Sequence, residues 1–82
     1  MEVFFSYRLS ELRKCLNLTQ SKMAEEIGTT QAALSAYEKG DRIPSSEILI
    51  SIAQKYNVSI DWLCGLTDRA NLEPTFSTYA SV

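Results

Sequence analysis

Catalysis and metal binding need groups that this sequence supplies sparingly. It has no histidine, and so lacks the commonest general base, the usual partner of a nucleophilic serine or cysteine, and the commonest transition-metal ligand. Its two cysteines, Cys15 and Cys64, lie far apart, each within an apolar pattern. Two thiols cannot complete a four-thiolate zinc site. They are expected to be buried and reduced, as in a cytosolic chain, with no disulfide between them. No glycine-rich loop is placed to cradle a phosphate. The expectation is a chain that is not an enzyme and carries no metal or cofactor.

What the side chains can do is recognise a surface. Between Thr30 and Gly40 the sequence reads QAALSAYEK. Only Leu34 and Tyr37 are strongly apolar there. Gln31, Ala32, Ala33, Ser35 and Ala36 leave a face of small and amide groups without charge, where an ordinary surface helix would carry Glu and Lys. Such a face suits close approach to another surface. The overall charge constrains the partner. Eight Lys+Arg against ten Asp+Glu give −2, whereas a chain that grips nucleic acid by charge alone should be basic. A nucleic-acid partner would require a local positive face.

The elements that must position these groups are short amphipathic helices. Eighty-two residues hold one domain, since domains run to about 100–200 residues, and the apolar content is that of a globular chain. No apolar run approaches a membrane span, and the N-terminus lacks the pattern of a signal peptide. The spacing of Phe5, Leu9, Leu12 and Leu16 predicts a first helix from Ser6 to Leu16, with Asn17 as its left-handed terminator. A second runs from a Thr19 cap over Gln20 to Ile27, burying Met23, Ala24 and Ile27 and ending at Gly28. A third runs from a Thr30 cap over Gln31 to Lys39 and stops at Gly40. The fourth starts from a cap at Ser45 or Ser46, has Glu47 in its first turn, and carries Ile48, Leu49, Ile52, Ala53 and Tyr56. The fifth runs from a Ser59 cap to Leu66, with Ile60, Leu63 and Leu66 inward and Trp62 half exposed. Residues 1–5 are expected to be an N-terminal extension, 6–68 the folded domain and 69–82 a tail. An alternative pairs Val3–Phe5 with Thr75–Tyr79 as strands, because both stretches are β-prone.

From Gln20 to Tyr37, two short helices flank a turn at Gly28, which is the helix-turn-helix layout. The details suit it. Ala24 is small enough for a steep crossing, Gly28 accepts a positive φ, and Leu34 and Tyr37 clamp the second helix from behind. The front of that helix carries nothing bulky and apolar. An ordinary helical hairpin within a bundle is the simpler alternative.

The stretch from Leu12 to Asp68 resembles the lambda-repressor-like helix-turn-helix domains of the Cro and Xre class. The matching text includes LTQ opening the second helix, IG at the turn, SAYEKGDRIP across the end of the third, and NVSIDWL entering the fifth. The resemblance implies an all-α fold, a compact five-helix domain with helices two and three as the helix-turn-helix. It also implies double-stranded DNA as partner, with the third helix in the major groove. Gln31 would then meet base edges, its amide donating and accepting at once as adenine's edge does. Ala32, Ser35 and Ala36 would be the other base-facing positions, the alanine methyls suiting thymine's methyl.

Phosphates would be held by Thr19 and Gln20 at the start of helix two, by Lys39 and Arg42, and by Lys22, Thr30 and Ser45. In such domains the residue matching Gln20 also braces the one matching Gln31. The residues matching Arg13 and Glu38 often form a buried ion pair between helices one and three, a role in the fold rather than in contact. Ala24, Gly28, Leu34 and Tyr37 are structural in the same sense. Glu25 and Glu26 are expected to project away from the groove.

The reading that follows is a sequence-specific transcriptional regulator, most simply a repressor, cytoplasmic in a bacterial or phage setting and on the nucleoid when bound. It would act as a homodimer on half-sites about 34 Å apart, joined through Trp62, Leu66, Phe76 and Tyr79. With no room for a sensor domain, control is expected through concentration, partner binding or proteolysis. The alternative is an antitoxin-like module that binds a protein partner on the same fold, which the acidic charge and the alanine-rich helix favour.

Overall fold

A computed structural model describes residues 2–69, with side chains from Phe4 onward. Five helices follow one another: α1 Glu2–Cys15, α2 Gln20–Ile27, α3 Gln31–Lys39, α4 Ser46–Tyr56 and α5 Ile60–Leu63. No strand occurs among the described residues. α1 packs on α3 and α5, α2 on α3 and α4, and α4 on α5. The core between them is Phe5, Leu9, Met23, Ala24, Ile27, Ala33, Leu34, Tyr37, Ile52, Val58 and Leu63.

Local chemistry explains where the helices begin and end. Thr19, Thr30, Ser45 and Ser59 all have extended backbones, and each hydroxyl accepts from the backbone N–H three residues on, at Lys22, Ala33, Ile48 and Trp62. Each cap thereby satisfies an otherwise free helix donor. Asn17 and Asn57, at φ 57° and 55°, turn the chain out of α1 and α4, a conformation that asparagine tolerates better than most residues.

Several expectations are corrected. α1 begins at Glu2 rather than Ser6, because Phe5 is a core residue and the apolar stripe extends one turn toward the N-terminus. Val3–Phe5 are therefore helical and not a strand; Thr75–Tyr79 lie outside the described residues. Leu16 falls past the end of α1 and is exposed, its inward place being taken by Leu18. Ala33 is buried rather than on the surface of α3. α5 is a single turn that ends at Leu63. Gly65, at φ +82°, reverses the chain there and leaves Leu66 exposed, not inward. Neither cysteine is fully buried. Cys15 is exposed at the end of α1, Cys64 is half-buried, and both are free thiols. Cys64 borders an apolar hollow with Phe5, Pro44 and Leu49.

Two side-chain anchors had no signature in the sequence. Arg8 donates to the carbonyl of Trp62 and, at 2.8 Å, to that of Thr67. Its guanidinium lies 5.1 Å from the Trp62 ring centre. It therefore ties α1 to the end of α5 through backbone acceptors that only the fold brings near. Its ion pair with Asp68 at 3.4 Å adds little, because that carboxylate is fully exposed. The second anchor joins α4 to α2, where the Tyr56 hydroxyl donates to Glu26 Oε1 at 2.7 Å. Burial first, and then this hydrogen bond to Glu26, push the Tyr56 hydroxyl well above its ordinary pKa.

A phenol whose folded pKa is raised contributes stability that is intact below its unfolded pKa and is lost as pH rises toward the folded value. Tyr56→Phe should therefore lower stability by about 1 kcal/mol at neutral pH, the net worth of one hydrogen bond. That deficit should narrow as pH rises above about 10, where the unfolded phenol ionises. Urea unfolding of both proteins at neutral and alkaline pH measures it. A deficit that stays constant would show that the bond does not couple to ionisation.

Candidate nucleic-acid interface

α2 and α3 owe their mutual angle to five residues. Gly28 closes α2 at φ 82°, its N–H donating to the Ala24 carbonyl, and the Thr29 N–H follows it to the same carbonyl at 2.9 Å. A β-carbon at Gly28 would meet nothing within 4 Å. Glycine is needed there for its backbone alone. Ala24 is buried, as are Ala33, Leu34 and Tyr37 along the rear of α3. The front of α3 is left to Gln31 and Ala32, both exposed, with Ser35 and Ala36 half-buried and Lys39 exposed at its end.

A polar fork holds α3 from behind. Arg13 Nε reaches Glu38 Oε2 at 2.7 Å and its Nη2 reaches Oε1 at 3.1 Å. The third nitrogen donates to the Leu18 carbonyl at 2.9 Å. The two side chains keep only 16% and 7% of their exposure. Hydrogen bonding to Glu38, reinforced by its charge, raises the Arg13 pKa despite the opposing effect of burial. Glu38 is thus paired within the fold and does not face a partner.

Gln20 departs from the place the resemblance implies. Its Nε2 donates to Glu38 Oε1 at 3.1 Å, so it completes the fork instead of bracing Gln31. Gln31 is met from α2 by Ser21, whose hydroxyl donates to Gln31 Oε1 at 2.9 Å. The residue order on α2 gave no warning of this exchange. It depends on which side chain the crossing angle brings within reach.

The candidate phosphate ligands fall into two kinds. Thr19, Thr30 and Ser45 are the caps of α2, α3 and α4, their hydroxyl oxygens already accepting from backbone N–H groups. Lys22, Lys39 and Arg42 are exposed cations. Lys22 lies 3.4 Å from Glu25, with both side chains more than half exposed, a pairing worth a few tenths of a kcal/mol. The Arg42 guanidinium sits 5.6 Å from the centre of the Tyr37 ring, which places it beside the C-terminal end of α3. The positive groups therefore belong to α2 and to the end of α3, while Glu26 is engaged by Tyr56.

Of the candidate contacts between copies, Trp62 is half-buried and Leu66 exposed; Phe76 and Tyr79 lie outside the described residues. Phe4 and Tyr7 are exposed as well, which their apolar neighbours on α1 did not announce. The Arg8 guanidinium lies near both the Phe4 and the Trp62 rings, so these two aromatics share one surface region. Among the described residues no group of three or more Cys, Asp or Glu could hold a metal ion. No helix among them is long and apolar enough to cross a membrane.

Five helices, with the second and third meeting across a glycine turn, define a helix-turn-helix domain. The chain belongs to the helix-turn-helix family, whose pattern matches residues 9–63. It is 45% identical over 58 residues to the cryptic phage CTXphi transcriptional repressor RstR of Vibrio cholerae, a match covering 71% of this chain and 52% of RstR. It is 38% identical over 64 residues to the HTH-type transcriptional regulator YobD of Bacillus subtilis, covering 78% of this chain and 57% of YobD. Antitoxin PezA of Streptococcus pneumoniae is 41% identical over 51 residues, 62% of this chain and 32% of PezA. The chain spans about half the length of the first two relatives. No solved structure matches it.

Proposed function

We propose that this chain is a sequence-specific DNA-binding transcriptional regulator that represses by occupying its operator, two copies placing α3 into major grooves about 34 Å apart. The observation that carries this reading is the division of α3. Its rear is locked by core packing and the Arg13–Glu38 fork, while its front exposes Gln31 and Ala32 with no bulky or acidic group. Gln31 reads a base edge, Ala32, Ser35 and Ala36 line the groove, and Lys22, Lys39 and Arg42 hold phosphates beside the caps at Thr19, Thr30 and Ser45. Gln20 serves this interface through the fork. Trp62 and Leu66, with Phe76 and Tyr79, supply the contact between copies. A cytoplasmic location follows from this role.

Three or four phosphate contacts per copy give a slope of log affinity against log salt of roughly −5 to −7 for the dimer. Lys39→Ala should make that slope shallower by about 2, one contact per copy, and weaken all sequences alike. Titration of DNA binding at several salt concentrations measures both. A slope near zero would remove the electrostatic part of the reading. The similarity to an antitoxin favours a second reading, a module whose target is a protein. No DNA enriched from a random pool at low salt, together with a stoichiometric protein partner, would replace the first reading with the second.

A further inference from the structure

We infer that the apolar hollow beside Cys64 binds a free short-chain monocarboxylate, whose head pairs with Arg42 and so competes with a DNA phosphate for the same guanidinium. The site stands on geometry and charge alone; the competition rests on Arg42 being a phosphate ligand. Phe5, Ile43, Pro44, Leu49 and Cys64 line the hollow, so α1, the loop after α3, α4 and the end of α5 each supply a wall. Its volume is about 90 Å³ and its surface is almost wholly apolar. Ser6 and Arg42 complete the lining, which includes no carboxylate.

Size and charge select the ligand. An apolar cavity of about 150 Å³ accepts the six carbons of benzene, so this smaller one takes a tail of about three or four. A peptide suits it poorly, because apolar walls would leave backbone N–H and C=O groups buried without partners. The charged residue in the lining is a cation. The Arg42 guanidinium rests against the Tyr37 ring, 5.6 Å from its centre, and no carboxylate among the described residues lies within ion-pair distance of it. Its planar fork of N–H donors matches a carboxylate. A carboxylate on a short apolar tail therefore complements both parts, the tail in the hollow and the head on Arg42. A guanidinium holding that head is withdrawn from a phosphate, so occupancy weakens DNA binding.

The test follows alkylation of the half-buried Cys64 by iodoacetamide in the full chain, with the exposed Cys15 as internal control. Saturating pentanoate should slow Cys64 severalfold and leave Cys15 unchanged. Butanoate should need about four times the concentration for the same protection, the worth of one buried CH₂. Octanoate should do no better than pentanoate, because the hollow is then full. Pentanamide should bind about twofold to fivefold more weakly, the worth of an exposed ion pair, and Arg42→Gln should bring acid and amide level. A Cys64 rate unmoved by pentanoate, both cysteines slowed together, or protection that keeps rising through octanoate overturns the site. Pentylamine protecting as well as pentanoate overturns the role of Arg42. Pentanoate should also lower DNA affinity about fivefold per copy at roughly 0.15 M salt, the loss of one phosphate contact, relative to equal sodium acetate. Protection of Cys64 with DNA affinity unmoved overturns the competition and keeps the site. Absence of any DNA binding defeats the proposed regulator and the competition with it, while protection of Cys64 still decides the site.

Discussion

Glu38→Ala should lower the unfolding free energy by about 3–5 kcal/mol, because it leaves a largely buried guanidinium without its partner. The geometry makes the cost specific. Glu38 accepts from Arg13 through both oxygens and from Gln20 through one of them. Its removal therefore strands two donors from two other parts of the chain. Arg13→Met should be costly in its turn, leaving a carboxylate that is 7% exposed with only Gln20 to satisfy it. The double replacement Arg13→Met, Glu38→Leu should recover most of the loss, since apolar groups of similar volume can replace a buried ion pair at little or no cost. Denaturant unfolding of wild type, Arg13→Met, Glu38→Leu and the double replacement gives the coupling directly. If Glu38→Ala costs less than about 1 kcal/mol, water screens the pair and it behaves as a surface salt bridge.

Gly65→Ala should cost about 2–5 kcal/mol, the sum of a left-handed backbone penalty of 1–2 and an overpacking term of 1–3. Gly65 has φ +82°, and a β-carbon there would lie 2.8 Å from Phe4 Cγ and 3.0 Å from Phe4 Cβ. Those atoms are close to the α1 backbone, so relief requires α1 itself to move. Gly28 supplies the control, having the same φ and no atom within 4 Å of the added carbon. Gly28→Ala should show the backbone penalty alone, about 1–2 kcal/mol. Phe4→Ala in the Gly65→Ala background should restore only part of the steric loss, because it removes Cγ and the ring but keeps the Cβ at 3.0 Å. Equal losses at the two glycines would mean that Phe4 yields freely and that α1 is not held against the turn after α5.

Much of this architecture was legible in the order of residues. The bounds of α2 and α3, their threonine caps and the glycines that end them follow from chemistry within a few residues of each boundary. The stripe of Met23, Ala24 and Ile27 likewise announced its own burial through helical spacing. Where the reading failed, the cause was interaction at long range. Phe5 extends α1 because a core lies ready to receive it. Leu16 and Leu66 carry the apolar character of core residues, yet left-handed turns at Asn17 and Gly65 carry them outward. The cysteines sit in apolar patterns but at positions that the packing leaves partly open.

The candidate site divides along the same line. Sequence alone determined that no histidine is present, that the front of α3 is small and uncharged, and that any cations must act locally against a net charge of −2. These are properties of composition and of i to i+4 spacing, which hold in any fold that keeps the helices. Only the tertiary structure decided that Gln20 belongs to the Arg13–Glu38 fork, that Ser21 holds Gln31, and that Arg8 anchors the end of α5. The physical reason is reach. A hydrogen bond forms within about 3.2 Å, and residues 10, 18, 25 or more than 50 positions apart come that close only after the helices have chosen their crossing angles.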